Sequence, residues 1–533
     1  LEGRETAEII TPAVIPARDP FFEKINFDLV PYSLKMVNEE KFTDLHREDE
    51  DFILGTGLAI LSPSELAWCL KELRKKDVKK PLILTGIATP QNIAMLCYFG
   101  ADVFDDSRAV IAAHEGYYLL ENGSFELEKL KELPCSCSAC EKIRENFTEL
   151  DHAERVSFLK EHNVKKLEEQ VSLVRELIRS ESLRNFVEAR AKTSPELTVM
   201  LRVGDEGGFF GKLHPRFKRS IVYMNTMESF KRPEVTIFLE KMPEVYSPKT
   251  KTALILPCSA RKPYSLSKTH RRILSGIGRL ANFVDEIIVS SPLVCPREFE
   301  LTYPAQNYDT PVTGMWSDEE IDFVAGKLAD LLGNFKTIIA HVRGGYREVV
   351  ERAINALDAV SEIEVVYTAE DGITSEKSIK NLKNELESVK GKFRKDRYMS
   401  LFEAMFKYQF GIELREFLKD ERIRGRYPRL ELFVEGKRIL RVDNLYGMLD
   451  VDLPLAERLI ENETYTVVIG EFEPKGTIFS VGVIEADERI KPNDVVFFRN
   501  SRYFGVGRAL MSGEEMVKTS KGVAIEVKRK RAI

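Results

Sequence analysis

The spacing of apolar and polar residues changes period several times along the chain, and each change marks a unit. Up to about residue 130, short apolar runs (Phe52 to Ile60, Pro81 to Leu84) alternate with helix-spaced stretches such as Gln91 to Phe99, which predicts α/β structure. Val164, Leu167, Val171, Val174 and Ile178 then recur at steps of three and four, one face of a long amphipathic helix. Glycines and prolines from Gly204 to Pro248 predict a linker over 204–250. A second α/β rhythm follows, with β-rich runs at Ala253 to Leu256, Glu286 to Val289, Thr337 to Ala340 and Ile363 to Tyr367. Helical stretches between them predict a mostly parallel sheet with helices on its faces. Residues 375–455 are charge-rich and mixed. Beyond them, Tyr465 to Ile469, Thr477 to Val483, Val495 to Phe498 and Val523 to Val527 read as short strands of a small β-barrel.

Length agrees with this division, since 533 residues at roughly 150 per domain give three or four domains. No stretch approaches the roughly 18 consecutive apolar residues that span a bilayer, so no membrane is expected. The opening Leu1-Glu-Gly-Arg-Glu5 is charged at once, with no apolar h-region, so no signal peptide is expected and the cytoplasm is the expected compartment. The net charge of −6 hides an asymmetry. Residues 489–533 carry 11 basic and 4 acidic side chains, a basic end on an acidic body, which directs the search for nucleic acid to that end.

Three of the seven cysteines lie in Pro134-Cys-Ser-Cys-Ser-Ala-Cys140, with His162 22 residues further on. Cys135, Cys137 and Cys140 with one histidine make a closed tetrahedral set for structural zinc. His152 rivals His162 as the fourth ligand, and His162-Asn163 is placed at the start of the long helix. These residues, with Tyr98-Phe-Gly-Ala-Asp-Val-Phe-Asp-Asp-Ser-Arg108 and Gly116-Tyr-Tyr118, resemble the C-terminal part of tRNA-guanine transglycosylases, and Ile9-Ile-Thr-Pro-Ala13 resembles that family's opening strand. That resemblance implies a TIM barrel carrying this zinc site, with Asp105 in the position of the nucleophile. Only 134 residues precede the cysteines, while such a barrel needs about 250 in all. The expectation is therefore a truncated TIM-barrel-like domain over 1–203, in which Asp105 either contacts substrate or is a strand-end structural carboxylate.

Pro257-Cys-Ser-Ala-Arg-Lys-Pro-Tyr-Ser-Leu-Ser-Lys-Thr-His270 follows directly on an apolar strand. Reacting groups gather at the carboxyl ends of such strands, which is where Cys258 sits. Arg261 and Lys262 would favour its thiolate. A helix over 265–280 would place Ser267, Lys268 and His270 in its first turns, with His270 free to move protons near neutral pH. Read from the residues alone, Cys258 is either this nucleophile or a buried structural cysteine. Pro257, Cys258, Lys262, Pro263, Tyr264, Ser267 and His270 together resemble the signature of the archaeosine synthase family, archaeal relatives of the transglycosylases. Ser291 to Glu298, Pro311 to Trp316 and His341 to Gly345 fit the same domain.

What the resemblance implies is chemistry on tRNA that carries 7-cyano-7-deazaguanine in its D-arm. Nitrogen from lysine or glutamine is added across the nitrile. Cys258, Lys262 and His270 are then expected to be catalytic, with Ser259, Tyr264 and Ser267 binding substrate. Outside the zinc set the cysteines offer no iron–sulfur ligands, so a radical-SAM lyase partner would complete a lysine route. Oligomeric state is left open, a homodimer included.

At the basic end, residues 421–441 hold seven basic and three acidic side chains, either a solvated charged face or an RNA contact through Arg422, Arg424, Arg426 and Arg429. Ile490 to Phe498, Phe504-Gly-Val-Gly-Arg-Ala509, Ser512 to Met516 and Lys521 to Ala524 resemble a PUA domain, an RNA-binding fold. Gly505 and Gly507 would allow close approach in a strand turn, and Lys521, Lys528 and Arg529 would contact phosphates. The full expectation is a multidomain α/β chain: truncated barrel with zinc (1–203), linker (204–250), doubly wound α/β catalytic domain (251–374), α+β adapter (375–455) and PUA β-barrel (456–533). The alternative functions are active base exchange at Asp105 and a non-catalytic tRNA-binding scaffold.

Overall fold

The computed structural model describes residues 11–17, 27–30, 52–76, 80–311, 316–357, 363–389, 391 and 396–533. Ile9 and Ile10 of the transglycosylase-like opening, and 312–315 of the Pro311 to Trp316 segment, lie outside these. The chain forms two compact units, 1–209 and 210–533.

The first unit is built on a parallel sheet of five strands among the described residues: β1 (Ala13–Ile15), β2 (Phe27–Val30), β3 (Phe52–Gly55), β4 (Leu82–Leu84) and β5 (Val103–Asp105), in the order β1-β5-β4-β3-β2. The first strand therefore lies beside the last, as at the closing seam of a barrel, and the sheet is a half-barrel. β4 and β5 are short runs buried on both sides, as central parallel strands require. A hairpin of β6 (Tyr117–Leu120) and β7 (Gly123–Glu126) leads to the cysteine loop. The long helix follows, but it starts at His152, capped by Asp151 and Glu154, so His162 lies near its third turn rather than at its start.

In the second unit, β8 (Val222–Tyr223) pairs with β12 (Tyr308–Asp309) beside the main sheet. That sheet contains β9 (Thr252–Pro257), β10 (Asp285–Val289), β11 (Val294–Pro296), β13 (Thr337–Ala340) and β14 (Glu364–Tyr367), ordered β11-β10-β9-β13-β14. All pairings are parallel except that of edge strand β11. Period-two alternation assigns its faces. Leu254, Leu256 and Ile339 pack with Ile273 and Ile277 of one helix and Leu382 and Leu386 of another. Ala253, Ile255 and Ile338 belong to the larger core that contains Val324, Leu328, Val349 and Val350.

Two expectations about boundaries change. The stretch 204–250, expected as a linker, contains the helix Pro233–Val245, whose Val235, Phe238, Leu239 and Met242 are buried in this core. The prolines around this helix mask its apolar spacing. The helix Glu376–Ser388, assigned by sequence to the adapter, covers a face of the main sheet through Leu382 and Leu386.

The adapter is an antiparallel sheet of β15 (Glu421–Arg426), β16 (Arg429–Val434), β17 (Lys437–Asp443) and β18 (Met448–Val451), flanked by the helices Arg397–Phe410 and Leu453–Glu461. The C-terminal sheet comprises β19 (Thr466–Ile469), β20 (Thr477–Phe479), β21 (Val483–Ala486), β22 (Val495–Arg499), β23 (Tyr503–Ala509) and β24 (Val523–Ala532), in the order β20-β24-β23-β22-β19-β21. Gly505 and Gly507 lie inside β23, not in a turn. A Cβ at Gly505 would collide with the Arg529 carbonyl and the Phe498 ring, and one at Gly507 with Ile525, so close approach is required there. No helix among the described residues is long and apolar enough to cross a membrane.

Candidate active site and metal centre

The cysteine loop and the long helix bring four donor atoms together. The sulfurs of Cys135, Cys137 and Cys140 and one ring nitrogen of His162 all lie within 4.8 Å of one another. His162 Nδ1 is 3.3 Å from Cys140 Sγ and 3.5 Å from Cys137 Sγ. Its Nε2 lies 3.0 Å from the Leu119 carbonyl, to which it can only donate. Nδ1 therefore carries the lone pair, the tautomer a metal ligand needs. Burial pushes the ring's pKa down to about 4, which keeps it neutral, and Tyr118 stacks on it with centroids 3.7 Å apart. Arg144 holds the loop by donating to the carbonyls of Leu133 and Cys135, each at 2.7 Å. His152 is exposed at the start of the helix and takes no part. The set fits a metal ion.

Asp105 ends β5, on the carboxyl side where barrel enzymes carry their chemistry. It is 5% exposed, and its carboxylate accepts hydrogen bonds from the Gly86 N–H (2.7 Å) and the Ser107 hydroxyl (2.5 Å). One oxygen ties the turn after β4 to the end of β5 and the other holds the neighbouring Ser107, which is the arrangement of a strand-end structural carboxylate.

The second constellation gathers at the carboxyl edge of the main sheet. Cys258 follows β9, its N–H donating to the Val289 carbonyl of β10 at 2.8 Å. Its half-buried sulfur lies 3.1 Å from the Tyr346 hydroxyl. Tyr346 stands at the start of the helix Gly345–Asn355, which follows the neighbouring strand β13, with Trp316 edge-on to its ring at 5.0 Å. Burial raises the Tyr346 pKa well above the usual phenol range, and the Cys258 sulfur adds to the effect, so it is a neutral hydroxyl. Lys262 Nζ lies 3.9 Å from the centre of the Tyr308 ring, and burial lowers its pKa, opposed by Cys258 and Asp309. Ser259 donates to the Arg261 carbonyl at 3.0 Å within the turn, and Arg261 is exposed.

Other residues of the motif do different work from that expected. His270 is fully buried. Nε2 donates to the Pro257 carbonyl and Nδ1 accepts from Arg297, both at 2.9 Å. Burial and the Arg297 charge push its pKa down to about 3. Both nitrogens are bonded within the protein and the ring is buried, so His270 is placed to hold the backbone before Cys258 where proton transfer was expected of it. Ser267 caps the helix Lys268–Ile277 by accepting from the His270 N–H at 3.1 Å, and is buried. Tyr264 is also buried, its hydroxyl 2.7 Å from that of Tyr308, which donates to Ser290 at 2.6 Å. Ser267 and Tyr264 are therefore both buried, one as a helix cap and the other in a chain of hydroxyls. His341, at the end of β13, is spent on Thr368 and the Ile373 carbonyl.

Sequence reasoning missed Tyr346, Tyr308 and Ser290. Strand-end position would have found Tyr346, because β13 lies beside β9 and the turn after it faces the same edge. Tyr308 and Ser290 carried no signal in the sequence, because they reach Tyr264 only through packing.

The basic residues divide into two groups. Arg422, Arg424 and Arg426 alternate along edge strand β15 and share one face; their cross-strand neighbours are Phe433, Glu431 and Arg429. All four arginines are exposed, and Arg424 stacks over Phe433 at 4.6 Å. In contrast, Arg529 is tied to Asp450 (2.6 Å) and Asp452 (2.8 Å), and Lys528 to Glu526 (2.8 Å). Arg529 joins β24 to the end of β18 instead of standing free for phosphate. Lys521 is exposed.

Comparisons with known proteins agree with this layout. Family models match in four segments: queuine tRNA-ribosyltransferase at 37–196, a domain of unknown function at 235–386, a pre-PUA domain at 395–460 and a PUA domain at 472–531. The archaeosine synthase subunit alpha of Methanosarcina acetivorans is 40% identical over 460 residues, 83% of this chain and 73% of that protein. The archaeosine synthase of Haloferax volcanii is 35% identical, over 84% of this chain and 76% of its own length. The crystal structure of AF0587, a protein of unknown function, is 49% identical, covering 55% of this chain and 99% of that one at a TM-score of 0.48. At 40% identity across most of both sequences, the chain belongs to the archaeosine synthase family.

Proposed function

We propose that this chain is a tRNA-modifying transferase that adds nitrogen, from lysine or glutamine, to the nitrile of 7-cyano-7-deazaguanine in the D-arm of tRNA. One observation carries the reading: a half-buried thiol, Cys258, sits 3.1 Å from a neutral hydroxyl, Tyr346, at the carboxyl edge of a parallel sheet. The sulfur, as thiolate, attacks the nitrile carbon and forms a C–S bond, while a C–N π pair moves onto nitrogen. Tyr346 or Lys262 gives that nitrogen a proton, and a thioimidate results. The donor amine then adds to the same carbon, loses a proton to the group that gave one, and expels sulfur as thiolate. The net change is addition of an amine across the nitrile. Tyr346 takes the place in this scheme that was expected of His270.

Other modules of the chain support the same reading. Cys135, Cys137, Cys140 and His162 would hold structural zinc, which fixes the cysteine loop to the long helix. The Arg422, Arg424, Arg426 and Arg429 face, with Lys521 of the PUA domain, would bind RNA backbone. If lysine is the donor, a radical-SAM partner would cleave the adduct. Base exchange at Asp105 is the weaker reading, because both carboxylate oxygens are already bonded to Gly86 and Ser107.

The test is incubation of nitrile-bearing tRNA with the protein and each amine, followed by nucleoside mass spectrometry. Donor-dependent mass gain on the modified base is expected, with a covalent protein–tRNA adduct when the amine is withheld. An unchanged base, or release of free base, overturns the reading. Full turnover by C258A would overturn the covalent route and leave direct amine attack.

A further inference from the structure

The exposed side of the helix Lys268–Ile277 faces the helix Glu376–Ser388 across an open groove of about 780 Å³. The two helices meet closely at Gly276, where a Cβ would collide with Ile379. Lys268, Arg271, Arg272, Lys380 and Lys383 line the groove, against a single carboxylate, Glu376. Among the described residues none of the five cations has an ion-pair partner, and only the Arg272 Nε is engaged, on the Thr374 carbonyl at 2.8 Å. A neighbouring element of the same unit is treated differently. On Gly345–Asn355, Arg347 pairs with Glu351, and Arg352 pairs with Glu348, Asp318 and Asp322. In a chain of net charge −6, five mutually repelling cations gathered in one groove suit a polyanion.

We propose that this groove binds the sugar-phosphate backbone of the tRNA next to the modified base, as an RNA contact on the catalytic domain itself. The inference rests on the tRNA reading above and adds a place for the RNA. Its geometry joins the groove to the reaction. Lys268 begins the helix that Ser267 caps, and His270, one turn in, bonds the carbonyl of Pro257 next to Cys258. At 1.5 Å rise per residue, Lys268 to Ser275 covers roughly 10 Å leading away from the thiol. Backbone held along this helix would leave a flipped base at its amino-terminal end, where the nucleophile lies.

Binding of a tRNA transcript to the full chain, measured over a range of salt concentrations, tests this without needing the nitrile. R271Q/K383Q and R272Q/K380Q should each bind about tenfold more weakly near 0.15 M salt and show a shallower salt slope, by roughly 0.7–0.9 for each phosphate no longer neutralised. With nitrile-bearing tRNA, KM should rise while kcat changes little, a split that general loss of folding would not give. R271K/K383R, which preserves charge, should bind as the wild type does. If every variant binds tRNA with unchanged affinity and slope, the groove proposal falls while the functional reading stands; an acidic protein as the true occupant would give that result. If the wild type binds no tRNA, both fall.

Discussion

The imidazole of His270 donates to the carbonyl of Pro257 at 2.9 Å, so a helix residue fixes the backbone immediately before Cys258. Behind the ring, Arg297 is held by Glu286 (2.6 Å) and Glu300 (3.1 Å), all three buried. The position of Cys258 is set by this chain of contacts. H270A should lose about 2–4 kcal/mol of stability, from the cavity and the unpaired Arg297 and Pro257 groups. Denaturant unfolding measures this, and a loss under about 1 kcal/mol would count against the positioning role.

The same ring predicts a pH dependence. Its folded pKa is depressed to about 3 from the ordinary 6.5, so the unfolded chain binds the proton more readily. The stability it contributes is complete above about pH 6.5 and is lost as pH falls toward 3. Between about pH 7 and 4.5 the wild type should therefore lose more stability than H270Q, which has nothing to protonate there. Equal losses would show that the ring is not held neutral.

Tyr346 is the group that touches the Cys258 sulfur, to which the proposed reaction assigns the attack. Y346F keeps the ring against Trp316 and removes the hydroxyl, so turnover should drop about 10²-fold with folding intact. C258A should abolish both turnover and the covalent adduct. Single-turnover kinetics would separate the steps: in Y346F the thioimidate should form slowly, and normal formation would remove Tyr346 from proton transfer.

Zinc content should be one ion per chain by mass spectrometry of the metal. H162A and C140S should lose it and lower the melting temperature of the first unit, whereas H152A should keep it. Chelation should act on the wild type as those substitutions do, because the loop–helix core of Tyr118, Leu133, Phe158 and Leu159 is organised around the ligands. Metal loss in H152A would reinstate the rival ligand.

D105N should retain addition to the nitrile within about twofold and cost roughly 1–3 kcal/mol, since it disturbs hydrogen bonds between strand ends and no reacting group. A loss of turnover without loss of stability would restore a role for Asp105 in chemistry.

The sequence was most legible where one signal is local. Cys135, Cys137 and Cys140 declare their chemistry by spacing, and Leu254 and Leu256 alternate against Ala253 and Ile255 as a buried strand must. It was least legible where burial decides function. Nothing in the spacing of Ser267 and His270 says that one caps a helix and the other is locked between Pro257 and Arg297, since Arg297 lies 27 residues downstream. Free histidine chemistry was the natural reading, and a buried cation overrode it. Arg529 is similar: in the sequence it is one of a run of basic tail residues, and its ion pairs with Asp450 and Asp452 arise only on folding.

The neighbourhood of β1 and β5 has a kinetic meaning. Ala13 pairs with Val103, so β1 waits for roughly ninety further residues before this partner exists. During synthesis it must remain unpaired while β3 and β4, close in sequence, find each other; closing so long a loop is what slows a topology. The order of assembly is thus opposite to the order of the chain at this seam, and a nascent first unit is vulnerable to aggregation until Asp105 has emerged.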